Sequence, residues 1–221
     1  PSLDLEVEAY DGDLPFETVM VEHQLADPDR RWSLLERCNI DPTVHPVWRF
    51  KGGEQAALAR WQAFKDKGLN GYARRRNNAA DRNGVSRMSA YIHYGMISPM
   101  QIAREAAEVG TKSAEKYLDE LLVFREHPWH HIYATPEPYG VHNLPEWARL
   151  SWRSSADDPR TTRYPLRQLQ RGAVHDPLWA ACQRSLLRHG ELHNNVRMTW
   201  GKTLTQWTDD VEQSMTLSLI H

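Results

Sequence analysis

The residues with most chemical potential lie in one short run, Leu192-His193-Asn194-Asn195-Val196-Arg197-Met198-Thr199-Trp200. Trp207 follows one helical repeat later and Trp179 precedes it. Trp200, Leu204 and Trp207 share one helical stripe, and tryptophans at that spacing usually build a core seam. Asn194, Asn195 and Arg197 pull the other way. Three polar side chains just before an apolar stripe need partners if buried, and a heteroaromatic ligand would supply them. The alternatives are a plain core and a redox cofactor with an aromatic path to the surface.

Two further groups could do chemistry. Ser86-Arg87-Met88-Ser89 sets hydroxyls and a cation before an apolar stretch, which suits a phosphate or equally a helix cap. Glu120 and Phe124 stand four apart, on one helical face, with Arg125 next in the chain. A carboxylate could bond a base edge while the ring stacks on it, or Phe124 could belong to the core.

Composition narrows the classes. Hydrophobic content of 40% with 25% charge is ordinary for a globular chain, and the formal charge of −2 hides an asymmetry. The first thirty-odd residues are acidic. Basic clusters follow at Arg74-Arg75-Arg76 with Arg82 and Arg87, and again from Arg149 to Arg171. A polyanion could bind that later part. Cys38 and Cys182 form no disulfide framework or metal motif, which points to a reducing compartment. His127, His130 and His131 lack companions at ligand spacing, so no metal is expected. No run is long enough for a transmembrane helix, and a cytoplasmic location is expected.

These groups must be carried by helices. Residues 1–53, with Pro15, Pro28, Pro42, Pro46 and Gly52-Gly53, read as a connector with one short helix near Trp32–Arg37. From Glu54, the spacing of Ala57, Leu58, Trp61 and Phe64 predicts a helix ending at Gly68. Residues 70–88 read as a loop. Ser98-Pro99-Met100-Gln101 predicts a capped start and Gly110 a stop. Ser113 is expected to cap the next helix, broken by Pro128, with an ordered loop over 128–145. Asp176-Pro177 opens a helix closing at Gly190, and another spans Leu192 to Gln206. No alternating run suggests a sheet, so the expected fold is all-α.

Read in order, Tyr72-Ala-Arg-Arg-Arg76-Asn77, Ser86 through Ser98, Glu120-Leu-Leu-Val-Phe-Arg-Glu126, Asp176-Pro-Leu-Trp179, His193 to Trp200 and Trp207 resemble the flavin-binding helical domain of the photolyase/cryptochrome family. The Asp-Pro-Leu-Trp segment and the short Met198-to-Trp207 spacing are most like class II photolyases, which repair cyclobutane pyrimidine dimers. The resemblance runs from about Val47 to His221 and implies an FAD-binding, lesion-binding domain over 54–221. It implies that Tyr72, Ser86, Arg87, Met88 and Ser89 hold the FAD phosphates and ribityl chain, with Arg125, Asn194 and Arg197 near the flavin. Arg76, Glu120, Phe124, Asn194 and Met198 would meet the flipped-out dimer, Glu120 stabilising its radical anion if the carboxyl carries a proton. Trp200, Trp179 and Trp207 would form the relay, from flavin outward, that photoreduces the cofactor.

The implied activity is light-driven repair by electron transfer from reduced FAD, with damaged DNA as partner to a monomer. The same resemblance leaves a cryptochrome-like blue-light sensor open, and loss of flavin would leave a helical nucleic-acid or protein-binding module. It also implies that the family's amino-terminal antenna domain and a carboxy-terminal flavin segment lie outside this sequence. Phe124 stands where tryptophan is common in the family. Asn194-Asn195 replaces the Gly-Phe expected of class II.

Overall fold

A computed structural model describes residues 46, 47 and 49–220, with isolated positions 27, 33, 36 and 38. The side chains of 219 and 220 are not among those described. The helix expected near Trp32–Arg37 falls outside the described residues, apart from positions 33 and 36. The chain divides into two compact units, Pro1–Pro46 and Val47–His221, and everything that follows belongs to the second.

Among the described residues that unit is all-α, as expected. Helix α1 (Glu54–Lys67) buries Ala57, Trp61 and Phe64, one face at four- and three-residue steps. It stops at Gly68, where a Cβ would fall 2.5 Å from the Phe64 ring and 2.8 Å from the Asn83 carbonyl oxygen. A 3₁₀ turn (Leu69–Gly71), α2 (Tyr72–Arg75) and α3 (Ser89–His93) follow. The stretch expected to be a loop thus contains a helical turn at Tyr72.

Helix α4 (Pro99–Val109) begins and ends where local chemistry dictates. The Ser98 hydroxyl accepts from the Gln101 N–H, Pro99 takes the first helical position, and Gly110 closes it with φ +63°. Helix α5 (Lys112–Leu118) is capped by Thr111, whose hydroxyl accepts from the Ala114 N–H at 3.2 Å. Ser113, the expected cap, is buried and instead accepts from the Ala73 N–H at 3.3 Å. Helix α5 runs directly into a π-helix (Asp119–Phe124), where the Arg125 N–H reaches the Glu120 carbonyl at 3.1 Å. Such i→i+5 turns are rare and concentrate at functional sites.

Pro128 does not leave a loop behind it. It sits in the first turn of α6 (His127–Ala134), where a missing N–H is harmless. Helices α7 (Glu146–Ser154) and α8 (Leu166–Arg171) come next. Helix α9 (Pro177–His189) opens on Asp176, whose carboxylate accepts from the Leu178 and Trp179 N–H groups, both at 2.9 Å, and ends at Gly190. Helix α10 (Asn194–Trp207) starts at His193, whose Nδ1 accepts from the Asn195 N–H at 3.3 Å. Helix α11 (Val211–Ile220) packs back on α10 and α8.

Two buried clusters hold these helices. The first joins α1–α5 and the π-helix through Trp61, Phe64, Leu69, Tyr72, Met88, Ile102, Tyr117 and Leu121. The second joins α8–α11 through Leu169, Trp179, Trp200, Leu204, Trp207 and Leu217. The Asn195 side chain ties them by donating to the Asn77 carbonyl at 3.0 Å.

Candidate flavin and lesion cleft

An open cleft of about 580 Å³ lies where α2, α3, α5, the π-helix and the start of α10 converge. It gathers Tyr72, Arg76, Ser86, Met88, Ser89, Glu120, Phe124, Arg125, Asn194 and Arg197. Residues from opposite ends of the unit meet there. Its size suits an organic cofactor or base rather than an ion.

Each side chain has a local cause. Arg76 caps the end of α2, and its Nη2 lies 2.7 Å from Glu120 Oε1. Lys116, one helical turn before Glu120, reaches the same oxygen at 3.0 Å. Glu120 is thus held by two cations, Arg76 and Lys116. The Arg76 guanidinium also stands over the Tyr72 ring at 5.8 Å, and the Lys116 ammonium over the Phe124 ring at 5.2 Å. Phe124 is exposed, so it faces the opening rather than the core. Arg125 pairs with Glu126, and Arg197 donates to the Asn194 side-chain oxygen at 2.8 Å.

The cleft floor is drier. The buried Tyr117 hydroxyl meets Ser86 Oγ at 3.2 Å, and the Arg60 Nε–H donates to the Ser86 carbonyl at 2.8 Å. Burial pushes the Tyr117 phenol up to about 12, and raises Tyr72 more than the neighbouring Arg76 lowers it. Both stay neutral donors at physiological pH. Neither Ser86 nor Ser89 caps α3. The N-cap position is Met88, which offers no side-chain cap.

Arg87 and Met198 are not brought to the cleft. Arg87 takes φ +59°, which turns its side chain away from the serines, and it pairs with Glu191 at 2.7 Å beside a separate cavity. Met198 is 55% exposed and outside the lining. Tyr117, Lys116 and Arg60 were missed by sequence reasoning. Tyr117 had a signal, since it falls three and seven residues before Glu120 and Phe124 on one helical face. Arg60 had none, because only packing brings α1 to Ser86.

The tryptophans lie apart from the cleft lining; Trp200 and Trp207 share a helix with Asn194 and Arg197, and Trp179 comes from α9. The Trp179 and Trp200 rings stack nearly parallel, 10° between planes and 5.9 Å between centroids. Trp207 meets Trp179 edge-on at 5.4 Å. The spatial order is thus Trp200, Trp179, Trp207, although the chain order differs. Trp207 also forms part of the wall of an open cavity of about 420 Å³. Tyr164 and His175, hydrogen-bonded to one another, pack on Trp207 at 5.2 and 5.7 Å, a contact that no spacing in the chain announces.

The cleft's donor set fits a dinucleotide such as FAD. Arg76, Arg125 and Arg197 give the cleft positive charge, Ser86 and Ser89 offer hydroxyls, and Met88, Ile92 and Leu121 give an apolar floor. Fold and cleft together describe a helical domain with a basic, partly apolar cleft and a separate buried stack of tryptophans.

No family model matches the chain. It is 34% identical over 181 residues to the deoxyribodipyrimidine photo-lyase of Methanothermobacter thermautotrophicus, covering 82% of this chain and 39% of that protein. It is 33% identical over 210 residues to the Arabidopsis thaliana deoxyribodipyrimidine photo-lyase, covering 91% and 42%. The crystal structure of a bacterial class III photolyase from Agrobacterium tumefaciens shares its fold, with a TM-score of 0.58 at 21% identity over 85% of this chain and 41% of that one. The chain belongs to the photolyase/cryptochrome family. It spans about two fifths of the length of these relatives.

Proposed function

We propose that residues 54–221 are the FAD-holding and lesion-binding part of a class II-like DNA photolyase that repairs cyclobutane pyrimidine dimers, working as a cytoplasmic monomer. The single observation that carries this reading is the convergence of Tyr72, Arg76, Ser86, Glu120, Phe124, Arg125, Asn194 and Arg197 on one cleft. The class II assignment draws support from Asp176-Pro-Leu-Trp179 and from the spatial order Trp200, Trp179, Trp207.

Tyr72, Ser86, Met88 and Ser89 would hold the phosphates and ribityl chain. Arg125, Asn194 and Arg197 would border the flavin ring. When bound, reduced FAD supplies the light-driven electron; the chain supplies position, orientation and charge. A dimer is already poorly stacked, so extruding it needs less energy than extruding an intact base. Phe124, at the cleft opening, would take one face of the extruded lesion. The Glu120 carboxylate would accept from base-edge N–H groups. Arg76, which now holds Glu120, is placed to exchange that partner for a lesion phosphate, without reading sequence. Trp200, Trp179 and Trp207 would pass an oxidising equivalent outward to the cavity side.

The test is a visible absorption spectrum of the purified chain mixed with FAD, dark and then under blue light with a reductant. A bound-flavin spectrum that bleaches, together with preferential binding of a dimer-containing oligonucleotide, is the expected outcome. No retained flavin and equal binding of damaged and intact DNA would overturn the reading.

A further inference from the structure

Gln183 is the polar exception inside the tryptophan core. It is wholly buried, at 0% exposure, on the inner face of α9. Its Oε1 accepts the Trp200 indole N–H at 3.0 Å, and its Nε2 donates to the Gln170 carbonyl at 2.9 Å. The second bond fixes the first. A backbone carbonyl only accepts, so the amide nitrogen must face Gln170 and the oxygen must face the indole. Gly172, just beyond α8, lets the chain close over this amide. It has φ +65°, and a Cβ there would fall 3.2 Å from Gln183 Cβ. Trp179 behaves alike, donating its indole N–H to the Trp200 carbonyl at 3.1 Å. Both inner indoles therefore point their protons at amide oxygens, in a core where Trp179 and Trp200 are almost free of solvent contact.

An oxidised indole is a strong N–H acid that gives up its proton to any base or water within reach. An amide oxygen is a good dipole acceptor but a very weak base. We infer that Gln183 is a positioning residue of the relay, holding oxidised Trp200 in its protonated, positively charged form. This rests on the relay reading given above. In that relay Trp200 would lose one electron to a photoexcited, oxidised flavin, which is reduced by one electron, and would regain one from Trp179. Its N–H proton stays in place throughout, so no proton has to return before the next turnover. The carbonyl dipole strengthens against the developing positive charge, as a hydrogen bond to a charged group does in a dry site. A proton-accepting side chain here would instead trap the charge on Trp200 as a neutral radical.

The test uses the flavin-free chain, so that loss of flavin binding cannot decide it. Ultraviolet laser photoionisation oxidises tryptophans in place, and the component lost in Trp200→Phe belongs to Trp200. In the wild type that component should carry the cation-radical spectrum and be long-lived. Gln183→Glu should convert it to the neutral-radical spectrum, with a cation lifetime shorter by about tenfold or more. Gln183→Met, which removes the dipole without adding a base, should lower the yield of the Trp200 component about tenfold. The near-ultraviolet circular dichroism of the stacked Trp179–Trp200 pair reports folding. If the Glu variant loses that signal, the Met variant decides. A lowered melting temperature with an unchanged Trp200 radical spectrum, lifetime and yield would reduce Gln183 to a structural residue. Failure of the relay itself would show separately, as undiminished photoreduction in flavin-loaded Trp179→Phe.

Discussion

Among the described residues there are two aromatic cores, and they differ in what their polar atoms touch. In the first, Trp61 stacks on Tyr117 at 5.6 Å and 26°, a geometry close to that of Trp179 on Trp200. Yet the Trp61 indole donates to Glu105, a carboxylate that also holds Lys65 and Gln101. Tyr72 meets Phe64 and Tyr117 nearly edge-on, and Tyr117 turns its hydroxyl toward Ser86 in the cleft. In the second core the Trp179 and Trp200 indoles stack and donate to neutral amide oxygens. A stacked pair is therefore not itself a sign of electron transfer. Continuity from ring to ring, with the Trp179 and Trp200 N–H groups set on amide oxygens instead of a carboxylate, is what sets the proposed relay core apart from the first.

The largest expected contrast comes from matched substitutions. Trp179→Phe should slow flavin photoreduction about tenfold or more in the flavin-loaded protein, and spare repair by chemically reduced enzyme. Trp61→Phe should leave photoreduction alone and lower stability by about 1–3 kcal/mol, read in a urea melt. Equal photoreduction in the two variants would erase the distinction between the cores.

Glu120→Ala should cut repair yield several-fold while damaged-DNA affinity changes by less than about twofold. In the proposed interface phosphate contacts would carry most of the affinity, so losing the contacts of half-buried Glu120 should change it little. Parallel loss of both would make Glu120 a binding residue only.

A pH effect should sharpen the contrast further. Hydrogen bonds from Lys65, Gln101 and Trp61 hold the Glu105 carboxyl down at about 2, against an ordinary 4.5. The folded value is depressed, so this stabilisation is complete above about pH 4.5 and is lost as pH falls toward 2. Glu105→Gln should remove that acid dependence and destabilise the protein by about 2 kcal/mol at neutral pH. The effect should be seen in the first core, by Trp61 fluorescence, before the second. The smallest effect is at a helix start: Thr111→Ala should lower stability by about 1 kcal/mol, through the lost cap of α5.

Much of this architecture was legible because helix ends are local. Ser98-Pro99, Asp176-Pro177, Gly110 and Gly190 carry their partners within four residues, and the structure uses all four as read. Thr111 against Ser113 was not legible. Both hydroxyls could cap α5, and only the approach of α2, with Ala73 as partner, engages Ser113 elsewhere. Pro128 likewise could end one helix or open another.

For the cleft, the sequence alone determined the residue types and their family order, since motif and spacing are chain properties. It also determined that Glu120 and Phe124 share a face, because helical geometry demands it. Only the tertiary structure decided which of these residues meet. It brought Asn194 and Arg197 to Tyr72 and Ser86, paired Glu120 with Arg76 and Lys116, and left Met198 facing outward. It turned Arg87 to Glu191 through a backbone angle that no spacing announces. It also ordered the tryptophans through space and set Gln183 against Trp200. The reason is physical: capping and periodicity act over one or two turns, whereas ion pairing and ring packing depend on which helices close on one another.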